Sequence, residues 1–343
     1  MSNYLVSFIM PTYNSEEYII RTLKSFDEMV GNKREQIELL CIDDGSADQT
    51  LNKIKEFAKN VGYVKYESLS HGGVSTVRNH GLDIAQGEYV SFIDSDDFYQ
   101  KDFLDRFFEQ VERYNHPDLL IEDVKGINLD FYKNDLNEEN RISILNVIYR
   151  IGEITAETGV ASKFIRKDVI DRANISYLPI PVSEDVLFNV NVINNIKSIV
   201  ISGEKYYLVQ ESHTLAFYNR ENKDGQLRYL AELSKILNHY GDLANDIIDL
   251  AYQKALNIMI EKYYGPLCAS KKLSFGVAAN ELKKIVKRQA FYNHLNNQRV
   301  SIVSGNKGFR YKTFRFLITK GLFKGCLFFD VILDKIKGYD RFK

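Results

Sequence analysis

Three short acidic clusters carry most of the chemistry that this sequence offers. The first, Asp94-Ser95-Asp96, is the only Asp-x-Asp in the chain. Two carboxylates on one side of an extended segment can share a divalent cation such as Mg²⁺ or Mn²⁺, which leaves coordination positions open for phosphate oxygens. A solvated turn or a helix cap is the alternative interpretation.

The second cluster is Asp43-Asp44, which ends an apolar run. A carboxylate there can accept a hydrogen bond from a nucleobase N–H or a ribose hydroxyl. Alternatively, Asp44 only caps the helix that follows, as Ser46 and Asp48 also could.

Glu184-Asp185 forms the third cluster, directly after a loop that contains two prolines. One interpretation is a general base that receives the proton of an acceptor hydroxyl. The other is a helix cap and nothing more, since carboxylates favour helix N-termini. His213, just past a predicted strand, is a further candidate ligand, with an ordinary surface or core histidine as the alternative.

The elements around these clusters predict an α/β fold. Apolar runs at 4–10 (closed by Pro11), 37–42, 64–66 and 89–93 alternate with amphipathic helical patterns at 16–29, 47–60 and 74–85. Continuous apolar strands that alternate with helices indicate a parallel sheet covered on both faces. Ligands of such sheets bind at the carboxyl ends of the strands, where the first two acidic clusters lie.

Two domains are predicted, a catalytic domain at 1–215 and a mainly helical region at 216–343. In the latter, Leu230, Leu233, Ile236 and Leu237 form an apolar stripe. The segment 311–336 is predicted to place its apolar residues on one helical face, namely Phe314, Leu317, Ile318, Leu322, Phe328, Phe329, Ile332 and Leu333.

The charge distribution separates the body of the chain from its tail. Residues 307–343 carry 10 Lys and Arg against 3 Asp and Glu, and the other 306 residues carry 35 against 43. An acidic body argues against nucleic acid as a partner. The basic tail suits an anionic membrane surface, with packing on the catalytic half or dimer formation as the alternatives.

Three distant cysteines and no basic leader segment favour a cytoplasmic protein, placed at the inner face of the membrane if the tail binds there. G-x-G-x-x-G after a strand, Walker A and G-x-S-x-G motifs are all absent, which excludes the commonest dinucleotide, P-loop and hydrolase classes.

Taken together, the motifs resemble those of the family 2 glycosyltransferases. Residues 7–14 (SFIMPTYN), 42–50 (IDDGSADQT) and 73–97, with Arg78-Asn79-x-Gly81 and Phe92-Ile93-Asp94-Ser95-Asp96-Asp97, match three family blocks in order and spacing. Ser162-Lys163-Phe164-Ile165-Arg166 and Glu184-Asp185-x-x-Phe188 continue the likeness less sharply.

This resemblance implies a GT-A fold, Rossmann-like with a mainly parallel sheet, and inverting transfer from a nucleotide-diphosphate sugar with Mn²⁺ or Mg²⁺. It implies that Pro11, Tyr13 and Asp44 line the base pocket, and that Asp94 and Ser95 lie near the ribose. Asp96, with Asp94, would hold the metal, and Asp185 would be the base. The remaining expected donor contacts are Gly73, Arg78, Glu184 and His213.

The expected donor is UDP-hexose or UDP-N-acetylhexosamine, and the expected acceptor is a saccharide or lipid-linked saccharide of a surface polysaccharide. One departure favours an alternative, a weak or inactive nucleotide-sugar-binding subunit. Many family members carry arginines in the segment that corresponds to 208–214, and this chain has none there. His213 or Arg220 would have to take their place. A nucleotidyltransferase ranks last because 11–14 lacks a Gly- and Arg-rich phosphate loop. The sequence leaves a homo-oligomer open.

Overall fold

The computed structural model describes residues 4–209, 221–288, 291, 294–295 and 309–337. These residues form two compact units. Unit 1 takes the described residues of 1–144, 153–179 and 184–212, and unit 2 takes those of 145–152, 180–183 and 213–343. The predicted boundary between 215 and 216 lies outside the described residues and stays a prediction.

Unit 1 is built on a mixed, mainly parallel sheet. Its strand order is β3-β2-β1-β4-β8-β6-β9-β7, in which β8 and β7 run against the other strands. A second sheet pairs β10 with β5 in antiparallel fashion. The strands are β1 (Tyr4–Thr12), β2 (Ile37–Asp43), β3 (Val64–Ser68), β4 (Gly87–Phe92), β5 (Phe98–Tyr99), β6 (Leu119–Ile121), β7 (Phe131–Asn134), β8 (Lys163–Arg166), β9 (Ser198–Ile201) and β10 (Tyr207–Leu208). The predicted α/β class with a mainly parallel sheet is confirmed.

Helices join most of these strands, and further helices form the larger part of unit 2. They are α1 (Ile19–Val30), α2 (Thr50–Ala58), α3 (Val74–Ile84), α4 (Phe103–Arg113), α5 (Glu138–Tyr149), α6 (Lys167–Ala173), α7 (Glu184–Asn195), α8 (Asn222–Leu237), α9 (Asn245–Met259), α10 (Gly265–Ala269), α11 (Phe275–Val286), α12 (Phe309–Thr319) and α13 (Phe323–Lys337). A 3₁₀ turn (Asn238–Ala244) and a π turn (Ile260–Tyr264) precede α9 and α10.

The first strand is longer than predicted, because it continues through Pro11 to Thr12. Pro11 has no backbone N–H and would normally end a central strand. However, the backbone polar groups of residues 9 and 11 both point toward β4, and the pairing of β1 with β4 has already ended at Ile9. On the other side, Pro11 and Thr12 still pair with β2. The missing donor therefore costs no ladder hydrogen bond.

Close packing of α3 on β1 requires a glycine. A side-chain carbon built at Gly81 would lie 2.5 Å from the Ile9 side chain. On the sheet's other face, Phe8 makes edge contacts with Phe26, Tyr99 and Phe164 at centroid distances of 4.9 to 5.9 Å. Because both faces of β1 are covered, the loops at its carboxyl end start from a rigid base.

In unit 2 the predicted stripe is largely confirmed, since Leu230, Leu233 and Leu237 are buried. The single apolar face predicted for 311–336 is wrong. Gly321, at φ +72°, separates α12 from α13, so the two helices do not share one face. Leu322, Phe328 and Ile332 are exposed, while Asp330 and Asp334 are buried against Arg310. Among the described residues no helix is long and apolar enough to cross a membrane.

Candidate active site

The loops after β1, β2 and β4 meet at one edge of the sheet, because these strands are adjacent and parallel. They carry Tyr13, Asp44 and Asp94 respectively. The loops are also tied to one another. The backbone N–H of Asn14 donates to Ser46 Oγ at 2.9 Å, and the Asn14 side chain accepts from the N–H of Ala47 at 2.9 Å. The predicted candidates of the first hundred residues are therefore brought together.

Asp44 lies in a cradle of backbone donors. The N–H groups of Gly72 and Gly73 donate to its two carboxylate oxygens at 2.8 and 3.1 Å. Gly73 has φ +84°, a conformation that an L-residue rarely adopts. The capping alternative for Asp44 is wrong, because α2 begins at Thr50 and the Thr50 N–H donates to Asp48.

A histidine that the sequence analysis did not single out borders this cradle. His71 Nδ1 lies 2.9 Å from Asp44 Oδ2, and its ring stacks on that of Tyr13 at 4.6 Å. Tyr13 is 47 % exposed, whereas Asp44 is buried beneath His71, so an exposed aromatic surface lies next to a buried carboxylate acceptor. Pro11, predicted with Tyr13 and Asp44, is half-buried near the end of β1, two residues before Tyr13. Nothing in the local sequence distinguishes His71 from a solvated loop residue.

The Asp-x-Asp segment follows β4, and its carboxylates differ in exposure. The Asp94 side chain is 56 % exposed and Asp96 is half-buried, so both carboxylates can reach a ligand. Ser95 Oγ is 2.8 Å from Ser15 Oγ, which ties the segment to the loop after β1. The neighbouring Asp97 is buried and accepts from the hydroxyl of Tyr207 at 2.8 Å.

An exposed and a half-buried carboxylate two residues apart fit a divalent cation whose remaining ligands are diphosphate and water oxygens. Among the described residues no group of three or more acidic, histidine or cysteine side chains is placed to hold a metal by itself. Asp94 and Asp96 would therefore hold the ion together with the donor.

Arg78 of α3 links the Asp-x-Asp segment to the third acidic cluster. Its buried guanidinium donates to Glu184 Oε1 at 3.1 Å and lies 3.9 Å from Asp94 Oδ1. The guanidinium carbon sits 5.2 Å from the ring centre of Tyr177, another residue that the sequence analysis did not single out. The Tyr177 ring also stacks in parallel on Phe188 at 4.1 Å and makes an edge contact with Phe92 at 5.5 Å.

Glu184 and Asp185 form the first turn of α7, as predicted for a helix start after the proline loop. Asp185 Oδ1 accepts from the N–H of Val186 at 2.8 Å. Burial raises the pKa of both carboxyl groups, and Arg78 opposes that rise in each. A half-buried carboxylate with a raised pKa, near the Asp94 and Asp96 carboxylates, has the properties of a general base.

His213 and Arg220 lie outside the described residues, as does most of the segment that lacks the family's arginines. Their predicted contacts with the donor stay predictions.

Comparison with known proteins agrees with this geometry. The model of the family "Glycosyl transferase family 2" matches residues 7–171. The chain is 30 % identical, over 67 % of its length and 70 % of the relative's, to the poly(ribitol-phosphate) beta-N-acetylglucosaminyltransferase TarP of Staphylococcus aureus. It is 25 % identical to the poly(ribitol-phosphate) beta-glucosyltransferase of Bacillus spizizenii. That alignment covers 76 % of this chain but only 40 % of the relative.

The fold is also shared with a solved structure. S. aureus TarS 1-349, crystallised with UDP-GlcNAc, superposes with a TM-score of 0.61 at 23 % identity, over 97 % of this chain and 92 % of that one. The sheet and its carboxyl edge thus define a glycosyltransferase domain of the GT-A type, which confirms the predicted fold. The chain belongs to glycosyltransferase family 2.

Proposed function

We propose that this protein transfers a sugar from a nucleotide-diphosphate sugar, UDP-hexose or UDP-N-acetylhexosamine, to a saccharide or lipid-linked acceptor of a surface polymer. The observation that carries the proposal is the shared edge at which Asp44, the Asp-x-Asp pair and Asp185 gather. The activities for which TarP and the B. spizizenii relative are named, poly(ribitol-phosphate) beta-N-acetylglucosaminyltransferase and beta-glucosyltransferase, support this class of donor and acceptor.

The donor's base would bind at Tyr13 and Asp44. A uracil can stack on the exposed ring of Tyr13 while its N3–H donates to the Asp44 carboxylate, which its backbone donors hold in place. Asp94 and Ser95, next along the edge, would face the ribose. The diphosphate then lies at Asp96.

A divalent cation, Mn²⁺ or Mg²⁺, supplies charge neutralisation of the leaving diphosphate when it is bound. Asp94 and Asp96 are the residues that would hold it.

Asp185 would act on the acceptor. It takes the proton of the acceptor hydroxyl, whose oxygen forms a bond to the anomeric carbon as the bond from that carbon to the diphosphate oxygen breaks. The nucleoside diphosphate leaves and the configuration at the anomeric carbon inverts. Proton removal by a positioned carboxylate contributes roughly 10²–10⁴ in rate.

The test is nucleoside diphosphate release from a panel of UDP-, GDP- and dTDP-sugars with Mn²⁺. We expect slow hydrolysis of one UDP-sugar, loss of that release in Asp96→Ala, and its strong reduction in Asp185→Ala. Release that is unchanged in both variants contradicts the proposal. Donor binding without release by the folded wild type would favour the alternative, a non-catalytic nucleotide-sugar-binding subunit.

Membrane-surface contact is a second part of the proposal, and it rests on the outer surface of α12 and α13. Phe328, Ile332 and Ile336 are 55, 37 and 76 % exposed and recur every four residues on α13, so they form one apolar stripe. Exposed lysines, at 312, 320 and 324, accompany it. Both acidic residues of the described segment 309–337 are buried against Arg310, which leaves its outer surface with cations only. Such a surface suits anionic lipid at the inner face of the cell membrane.

Vesicle co-sedimentation tests this contact. We expect the wild type to bind vesicles that contain phosphatidylglycerol and to bind pure phosphatidylcholine vesicles weakly. The double variant Phe328→Ser/Ile332→Ser should lose most of the binding. Leu129→Ser is the matched control, since Leu129 is an equally apolar, 83 % exposed residue of unit 1. Equal binding by both variants would rule the contact out.

A further inference from the structure

Lys163 is a buried lysine for which the proposed mechanism has no role. It is the first residue of β8 and is only 2 % exposed. Its Nζ donates to the backbone carbonyls of Gly159 at 2.5 Å and Glu157 at 2.9 Å. An ammonium group is costly to bury unless its donors are satisfied and its charge is compensated. The carbonyls satisfy its donors, and a buried carboxylate nearby would compensate its charge.

A second side chain holds the same segment from the helix that carries the proposed base. Asn189 lies one turn after Asp185 on α7, and its amide donates to the carbonyls of Thr158 at 2.9 Å and Gly159 at 3.0 Å. The segment 157–161 is therefore tied to β8 through Lys163 and to α7 through Asn189. This double attachment fixes the start of α7 relative to the sheet.

Asp185 lies directly against that segment. A side-chain carbon built at Gly159 would be 3.5 Å from Asp185 Oδ2, in ordinary van der Waals contact. Gly159 therefore accepts from Lys163 through its carbonyl and has the Asp185 carboxylate as the neighbour on its side-chain position. The segment that Lys163 holds thus lies beside Asp185.

The charged and titratable groups around Asp185 come from several elements. Arg78 reaches it from α3 and Glu184 from its own helix, while Lys163 reaches it from β8. Asp94, after β4, and Tyr177 complete the set. Arg78 already donates to Glu184 and lies beside Asp94, so its charge is shared among three carboxylates. Lys163 lowers the pKa of Asp185 against the effect of burial.

We infer that Lys163 is a positioning residue for Asp185: with Asn189 it fixes the segment 157–161 beside the carboxylate, and it brings a buried ammonium charge to that segment. The inference rests on the proposed function, in which Asp185 is the base. It assigns Lys163 the electrostatic task and leaves to Asn189 a purely mechanical one.

The charge can be separated from the mechanical hold with two variants. Lys163→Met removes the ammonium and keeps the length of the side chain, whereas Asn189→Ala removes hydrogen bonds to the same segment and keeps the charge. In the full chain labelled with ¹³Cγ-aspartate, the Asp185 signal is identified by its loss in Asp185→Asn. We expect the pKa of Asp185 to rise by about one pH unit in Lys163→Met and to stay within about 0.3 in Asn189→Ala.

Enzyme kinetics provide the second measurement. With UDP-GlcNAc and UDP-glucose as donors and Mn²⁺ present, the acid limb of the pH profile of UDP release should move upward in Lys163→Met, with the donor KM unchanged. Asn189→Ala should lower kcat without moving that limb. Lys163→Gln serves the same purpose if the methionine variant does not fold.

An Asp185 titration that is unchanged in both Lys163 variants overturns the inference, as does an equal shift in Asn189→Ala. Failure of the proposed function looks different. In that case Asp185→Asn leaves UDP release unchanged, while the carboxyl titration still decides whether Lys163 acts on Asp185.

Discussion

Carboxyl groups at one edge of the sheet are supported in three different ways. Asp44 accepts from the neutral N–H groups of Gly72 and Gly73, and Asp185 has the cations Arg78 and Lys163 nearby. Glu122, directly after β6, has weaker support, because the charge of Arg106 lowers its pKa less than burial raises it. It is 2 % exposed, neither of its carboxylate oxygens has a hydrogen-bond partner, and burial raises its pKa to about 8.

The difference shows that position at the strand ends does not decide what a carboxylate can do. Backbone N–H groups orient Asp44 as a hydrogen-bond acceptor, and His71 is the side chain that approaches the same carboxylate. Cations near Asp185 limit the rise of its pKa, so that a buried group can still accept a proton. With weaker support, Glu122 has a pKa that burial raises to about 8.

Removal of the proposed base should have the largest effect. We expect Asp185→Asn to lower kcat for UDP release by roughly 10²–10⁴ while the donor KM stays nearly constant, because the amide keeps the shape but accepts no proton. In the wild type, activity should fall as the pH drops through the pKa of Asp185, at a higher pH than for an exposed aspartate, because burial raises that pKa. An activity that does not depend on pH below neutrality would argue against this base.

Loss of the shared cation should come next. Arg78→Met leaves Glu184 buried without its ion-pair partner, which typically costs about 3 kcal/mol. Urea unfolding measures this, with Lys55→Met on the exposed side of α2 as a control that should change stability by less than about 0.5 kcal/mol. Equal effects of the two substitutions would show that the pair is energetically unimportant.

A change on the nucleotide side should be smaller and confined to binding. Asp44→Asn replaces one acceptor oxygen by a donor that faces the N–H of Gly72 or Gly73. We expect affinity for UDP to fall about tenfold, roughly 1.4 kcal/mol, with the pH profile of release unmoved. Isothermal titration measures the affinity. A shifted pH profile of UDP release in this variant would mean that the hydrogen bonds to Asp44 and the cations near Asp185 do not act independently.

The ionisation of Glu122 should affect the stability of the folded protein alone. The pKa of Glu122 is raised in the folded state, so the folded protein binds the extra proton between about pH 4.5 and 8 and loses stability as the pH rises through that window. Glu122→Gln should therefore unfold at a higher temperature than the wild type at pH 9, by about 1 kcal/mol or more in stability, with little difference at pH 5. Thermal melts at both pH values would check this. Parallel curves for the two proteins would contradict it.

Much of the catalytic half could be predicted because its signals are local. Continuous apolar runs identified β1, β2 and β4, and the acidic clusters after them fell at the edge where parallel strands place their ligands. The loop with two prolines, followed by an apolar helical pattern, predicted the helix that begins at Glu184. The errors were also local. Pro11 did not end its strand, because the ladder on its donor side had already finished.

The tail shows where periodicity fails. A helical stripe was predicted across Gly321, but that residue adopts a positive φ and separates two helices. The apolar residues Phe328 and Ile332 then face outward, and two aspartates take the inner positions because Arg310 meets them there. Hydrophobic pattern alone does not reveal a buried ion pair.

By itself, the sequence determined the parallel sheet, the acidic clusters at its edge and the family to which the chain belongs, since each depends on residues close together in the chain. Only the tertiary structure decided which carboxylate meets which partner. Arg78 and Glu184 are 106 residues apart, and Lys163 reaches the surroundings of Asp185 from a neighbouring strand. Electrostatic support depends on distances through space and on burial, and neither is encoded in the spacing of residues along the chain.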